Sequence, residues 1–128
     1  MQLYYSNTSP YARKTRLVLR EKGLQDRIEE ILCNPFQEHP ALLRANPLHR
    51  VPTLVLADGS ALFDSPVICQ YLDSLSPQPL LIPESGPERW DSLRWQALAD
   101  GILDAAYDTV MERRRPGTVQ SAHWLGAW

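Results

Sequence analysis

Short apolar clusters alternate with charged and proline-rich breaks along the first part of the chain, and one long helical period fills most of the rest. Met1 to Tyr5 is apolar-rich and reads as a strand. A helix opens soon after it. Ser9 stands at the N-cap, Pro10 takes the first helical position, where a missing N–H costs nothing, and Gly23 supplies a left-handed stop beyond Lys22. Arg27 to Leu32 reads as a second short strand, with Ile28, Ile31 and Leu32 as its apolar members. The segment Asn34 to Pro40 carries two further breaks at Pro35 and Pro40. Pro40 then starts a short helix through Ala45, which ends near Asn46 because the residue before Pro47 disfavours helical geometry.

Val51 to Leu56 reads as a third strand, Asp58-Gly59 is a hairpin signal, and Ser60 to Phe63 is the return strand. Asp64 and Ser65 stand where a third helix needs its cap, with Pro66 in the first turn. Val67, Ile68, Tyr71, Leu72 and Leu75 give that helix an apolar face. The order β-α-β, short helix, β-hairpin, helix predicts an α/β domain. Two parallel strands joined by a crossover are extended by an antiparallel pair into a four-stranded mixed sheet with helices packed on it. Four prolines in 77–87 mark a linker between a first domain, 1–76, and a second segment, 88–128. Glu88 to Arg115 reads as one long helix: Trp95, Leu98, Ala99, Ile102, Leu103, Ala106 and Val110 keep its period, and Arg113-Arg114-Arg115 suits its C-terminal end. Gly117 to Trp128 shows no clear pattern.

Composition changes this picture little. At 44% hydrophobic and 22% charged residues the 128-residue chain is ordinary for a globular protein, and a net charge of −2 supplies no field to attract nucleic acid or an anionic membrane. The basic residues at 13, 14, 16 and 20 read as a solvated helix face. The chain has no run of eighteen apolar residues and no signal-peptide pattern at its start, so no membrane span is expected. Cys33 and Cys69 match neither metal-ligand nor Cys-x-x-Cys spacing. They read as free thiols in a reducing compartment, which predicts a cytoplasmic protein with no metal. The chemically suggestive stretch is Ser6 to Arg16. A strand that turns into a helix N-terminus leaves backbone N–H groups aimed at one spot, and such a spot favours an anion, a thiolate included. On these residues alone a plain well-capped helix is an equal reading.

Element order and junction residues together resemble the N-terminal domain of the glutathione S-transferases, a thioredoxin-like fold, over roughly residues 1–76. The resemblance continues into the first helix of that family's all-helical second domain. Ser9-Pro10-Tyr11-Ala12 stands where glutaredoxins have Cys-Pro-Tyr-Cys and omega-like transferases a Cys-Pro motif. Asn46-Pro47 followed by Val51-Pro52-Thr53-Leu54 is similar to the family's Asn-Pro…Val-Pro-x-Leu motif, whose Val-Pro peptide is cis. Asp64-Ser65 matches its acidic-Ser pair, and Ala99 to Asp104 resembles the first helix of its second domain.

The resemblance implies glutathione as co-substrate with no other cofactor, a small electrophile as second substrate, and a homodimer, with no nucleic-acid or membrane partner. It also implies roles for residues. Ser9 donates a hydrogen bond to the glutathione thiolate, with Thr8 and Ser6 as alternative hydroxyls and Tyr5 as a further rival. Val51, beside Pro52, pairs through its backbone with the extended tripeptide. Asp64 and Ser65, at a helix N-terminus, receive the α-amino and α-carboxylate ends of the γ-glutamyl group. Arg50, with Asn34 and His49 as further candidates, meets the glycyl end; His49 stands where the family commonly has Gly. Lowering a thiol pKa by about two units from ~8.5 takes roughly 2.7 kcal/mol. One charge-assisted hydrogen bond at about 1.5–3 kcal/mol and a helix N-terminus at about 0.3–1 kcal/mol supply that. A serine hydroxyl is not ionised near neutrality, so Ser9 is not expected to be a nucleophile. Without Cys at 9 or 12, mixed-disulfide chemistry of the glutaredoxin kind is not expected, and Cys33 lies in a loop rather than at the helix N-terminus.

One departure matters. Only the first long helix of the family's second domain, which forms the electrophile site, is recognisable, and Ser121 to Trp128 does not resemble what should follow it. The resemblance therefore implies a shortened second domain, with either a working transferase or a non-catalytic glutathione-binding or interaction module as the outcome.

Overall fold

Leu3 and Tyr4, neighbours on β1 (Gln2–Tyr5), point to opposite faces of one sheet and seed the two cores on either side of it. A computed structural model describes residues 1–127, which divide into two compact units, Met1–Pro83 and the segment from Glu84 onward. In the first unit, β1 is followed by α1 (Pro10–Glu21), β2 (Glu29–Leu32), α2 (Pro40–Ala45), β3 (Thr53–Val55), β4 (Ala61–Leu62) and α3 (Ser65–Ser74). The sheet order is β2-β1-β3-β4. β1 is parallel to β2 and antiparallel to β3, and β3 is antiparallel to β4. This is the expected four-stranded mixed sheet.

α1 and α3 pack together on the Leu3 face, where Leu19, Leu24, Ile28, Leu54, Ile68 and Leu72 complete the larger core. The Tyr4 face holds a smaller cluster of Cys33, Leu42 and Val51, with α2 contributing Leu42. The strands are shorter than the apolar pattern predicts. β2 begins at Glu29, whose N–H makes the first ladder bond to the Met1 carbonyl; Arg27 is still held in a turn by the Leu24 carbonyl. At the hairpin, Gly59 has φ 87°, and the Asp58 carboxylate accepts from the N–H and hydroxyl of Ser60 at 2.9 and 2.6 Å. On α3, Ile68 and Leu72 are buried and Tyr71 and Leu75 partly so, whereas Val67 faces out and Cys69 takes the inward position.

A buried ion pair fastens α1 to α3. Lys22, the C-cap of α1, donates from Nζ to the Asp73 carboxylate of α3 at 2.8 Å, with the two side chains 0% and 6% exposed. Asp73 also accepts from the backbone N–H of Leu81 at 3.1 Å and Ile82 at 2.9 Å, and Lys22 Nζ donates to the Pro79 carbonyl. Residues 79–82 are thereby tied to the first unit.

The second unit contains α4 (Pro87–Arg113), a 3-10 turn (Gly117–Val119) and α5 (Ala122–Ala127). The segment after Arg115 is thus folded although it shows no hydrophobic period. Its order comes from polar contacts: the Glu112 carboxylate accepts from Ser121 N–H at 2.6 Å and from Arg115 at 3.0 Å, and Gln120 Nε2 donates to the Arg115 carbonyl at 2.7 Å. Trp95, Leu98, Ile102 and Val110 of α4 are exposed. Among the described residues, no helix is long and apolar enough to cross a membrane, and no group of three or more His, Cys, Asp or Glu is placed to hold a metal ion.

Candidate functional site

Strand directions gather the candidate residues at one edge of the sheet. β4, reversed twice through β3, runs the same way as β1. α1 and α3 follow these two strands, so both helices open at the edge where β1 ends. β2 ends at the same edge, since Leu32 pairs with Tyr5, and β3 begins there, since Thr53 pairs with Tyr4. Ser9, Asn34, Val51-Pro52 and Asp64-Ser65 therefore come from four separate chain segments to the edge where open α/β sheets take ligands.

Ser9 is the N-cap of α1, with φ −85° and ψ 116°, and its Oγ accepts from Ala12 N–H at 3.2 Å. Acceptance uses a lone pair only, so the hydroxyl proton stays available to an acceptor. No acidic residue occupies the first turn of α1. Ser6 is buried and shares a 2.9 Å hydrogen bond with the hydroxyl of exposed Thr8, while its Oγ accepts from Thr8 N–H at 3.2 Å. The Tyr5 ring lies under the Arg16 guanidinium, 4.0 Å from its centroid, and Arg16 is also paired with Glu30.

The Val51-Pro52 peptide is cis. Val51 is buried, yet among the described residues no hydrogen bond involves its backbone N–H or C=O. Buried backbone groups are rarely left this way, and an adjacent extended peptide satisfies both. The corner is built by Asn46, 1% exposed. Its Nδ2 donates to the Arg50 carbonyl at 3.2 Å and to Thr53 Oγ1 at 3.0 Å, its Oδ1 accepts from Leu48 N–H at 3.0 Å, and Thr53 Oγ1 donates to the Arg50 carbonyl at 2.8 Å. The Arg50 side chain is exposed and, among the described residues, without an ion pair. His49 takes φ 53°, the left-handed region, which explains why glycine suits this position. Its ring is half-buried, with Nε2 enclosed and unpartnered. Asn34 is exposed and uses Oδ1 to accept from Phe36 N–H at 3.0 Å.

Asp64 is the N-cap residue of α3 but, contrary to the expectation from sequence, its side chain makes no cap hydrogen bond. With Ser65 buried at the first helical position, α3 presents uncapped N–H groups beside an exposed carboxylate. That pairing of a positive helix end and a negative side chain suits a zwitterionic group. Cys33 is buried, and burial pushes its thiol above the ordinary value against a smaller opposing pull from the Tyr5 backbone. It is a poor thiolate. His39 supplies the cap of α2, with Nδ1 accepting from Leu42 N–H at 3.2 Å and its ring edge-on to Tyr4; an N-cap histidine is outside the usual capping set, so nothing in the sequence marked it.

Residues 8–75, just over half of the chain, match the profile described as the N-terminal domain of glutathione S-transferase. The chain belongs to the glutathione S-transferase family. The GST-like protein YibF of Escherichia coli is 38% identical over 94% of this chain, and the maleylacetoacetate isomerase of Pseudomonas aeruginosa 33% identical over 98%. The structure of a glutathione S-transferase from Methylobacillus flagellatus with GSH bound superposes with a TM-score of 0.93 at 42% identity, covering 98% of this chain. A Pseudomonas fluorescens glutathione transferase family member with bound glutathione gives 0.93 at 36% identity, also over 98%. The chain spans 59% and 61% of the lengths of the two relatives and 61% and 63% of the two structures. The four segments gathered at the sheet edge are thus those of a glutathione S-transferase N-terminal domain.

Proposed function

We propose that this edge binds glutathione and stabilises its thiolate for attack on an electrophilic carbon. Ser9 carries the reading: its cap geometry spends the oxygen on Ala12 and leaves the proton for a sulfur anion at the mouth of α1. Val51 offers an unused N–H and C=O to the tripeptide backbone, Asp64 and Ser65 at the start of α3 take the γ-glutamyl zwitterion, and the unpaired Arg50 takes the glycyl carboxylate. Asn34 and His49 are secondary at that end, because the Asn34 Oδ1 and the His49 Nε2 are turned to the chain itself. Ser6 is buried whereas its hydroxyl partner Thr8 is exposed, which makes Thr8 the rival hydroxyl. With a chloronitrobenzene, the C–S bond forms, the C–Cl bond breaks, chloride leaves with the electron pair and the thiol proton goes to solvent.

The test is the pKa of bound glutathione, read from thiolate absorbance, together with turnover. Losing a charge-assisted hydrogen bond of about 1.5–3 kcal/mol raises the thiol pKa by about 1–2 units and lowers kcat/KM by about 10–100-fold in Ser9→Ala. An unchanged thiol pKa in Ser9→Ala with a raised one in Thr8→Ala transfers the role to Thr8.

A second reading, a glutathione-binding module without turnover, is favoured by the exposed apolar face of α4. Glutathione binding with no conjugation of any electrophile supports it. On either reading we expect residues 1–76 to act as the glutathione-binding domain, in a cytoplasmic homodimer, which sedimentation equilibrium and cell fractionation test.

A further inference from the structure

Most cations of α1 are already engaged. Arg16 and Arg20 both pair with Glu30, Arg16 also covers the Tyr5 ring, Lys22 is buried against Asp73, and Lys14 has a partner as well. Arg13 differs: it is exposed, and among the described residues its guanidinium makes no hydrogen bond or ion pair. Its backbone N–H donates to the Ser9 carbonyl at 3.0 Å, so Arg13 lies one turn along α1 from Ser9 on nearly the same face. Helical side chains lean back toward the N-terminus and cover the turn before their own Cα. A long cation at this position is therefore within side-chain reach of the helix mouth that Ser9 caps.

We propose that Arg13 supplies a second positive group to the glutathione thiolate, adding its charge to the Ser9 hydroxyl and the first-turn N–H groups. The proposal rests on the glutathione reading and deepens it. The other charged groups at this edge are Asp64 at the start of α3, Arg50 before Val51, and the Arg16–Glu30 pair between α1 and β2. On that reading the ligand ammonium meets Asp64, and an unpaired arginine on the Ser9 face adds its charge at the thiolate end of the site.

The bound-thiol pKa is measured by ultraviolet titration of the glutathione complex in wild type, Arg13→Gln and Arg13→Lys at low and high salt, with glutathione affinity from calorimetry. Arg13→Gln is expected to raise the thiol pKa by about 0.5–1 unit at low salt. Arg13→Lys restores most of it, and the difference shrinks toward zero near 1 M salt, where the Debye length is about 3 Å. The Ser9→Ala shift, arising from a direct hydrogen bond, survives high salt. Glutathione bound with wild-type affinity and an unchanged thiol pKa in Arg13→Gln overturns the role of Arg13 while leaving the site intact. Failure of the wild type to bind glutathione overturns the reading of the site and the proposal with it.

Discussion

Asp73→Ala removes the acceptor for three donors at once. Among the described residues, Lys22 Nζ, 0% exposed, is left with the Pro79 carbonyl alone, and the N–H groups of Leu81 and Ile82 lose the acceptor that satisfies them. Breaking a buried ion pair from one side costs about 3–5 kcal/mol, because the surviving charge stays in the interior. A domain of this size has only about 5–15 kcal/mol to lose. With a urea m-value of about 1.5 kcal/mol/M, the unfolding midpoint falls by about 2–3 M. The double variant Lys22→Met/Asp73→Leu no longer buries a lone charge, and it should regain part of that loss. The same pair sets an acid limit. Burial pushes the Asp73 carboxyl up, but the hydrogen bonds from Lys22, Leu81 and Ile82, with the Lys22 charge, outweigh burial and hold it below the usual aspartate value. Its contribution is complete above the unfolded pKa of ~3.9 and is lost as pH falls through the lower folded value. Asp73→Asn should therefore flatten the acid side of the stability–pH curve below pH ~4. A urea midpoint in Asp73→Ala within about 0.5 M of wild type would refute the claim that this pair clamps α1 to α3.

Three other outcomes follow from the geometry. His49→Gly should be more stable than His49→Ala by about 1–2 kcal/mol in urea unfolding, since both remove the ring and only glycine takes φ 53° freely; equal stabilities would contradict the left-handed assignment. Asn46→Ala should cost about 2–3 kcal/mol and weaken glutathione binding, because it empties the centre of the corner before Val51; loss of stability with unaltered binding would separate the corner from the site. Cys33 should react with a maleimide far more slowly in the folded protein than in urea, since burial keeps its thiol protonated; equal rates would show the Tyr4 face to be open.

The elements themselves were legible along the chain because each is punctuated locally. Ser9-Pro10 and Gly23 bound α1, Asp58-Gly59 turns the hairpin, and the Ile68/Leu72 spacing fixes the buried face of α3. Those signals depend on residues within about four positions of one another. Candidate residues at the proposed glutathione edge could be named for the same reason, since each sits at a junction between elements. What local pattern does not encode is which polar groups are already used. The uncapped Asp64, the unpaired backbone of Val51 and the enclosed Nε2 of His49 are set by the register of distant strands and helices. Lys22 and Asp73, 51 positions apart, carry no mark of pairing in the sequence; they meet because α1 and α3 share one face of the sheet. The segment after Arg115 makes the same point from the other side, for hydrogen bonds to Glu112 and from Gln120 order it without any periodic apolar residue to announce it. Side chains declare their preferences one at a time, but a hydrogen bond needs two groups at a definite distance, and for residues far apart in the chain only folding sets that distance.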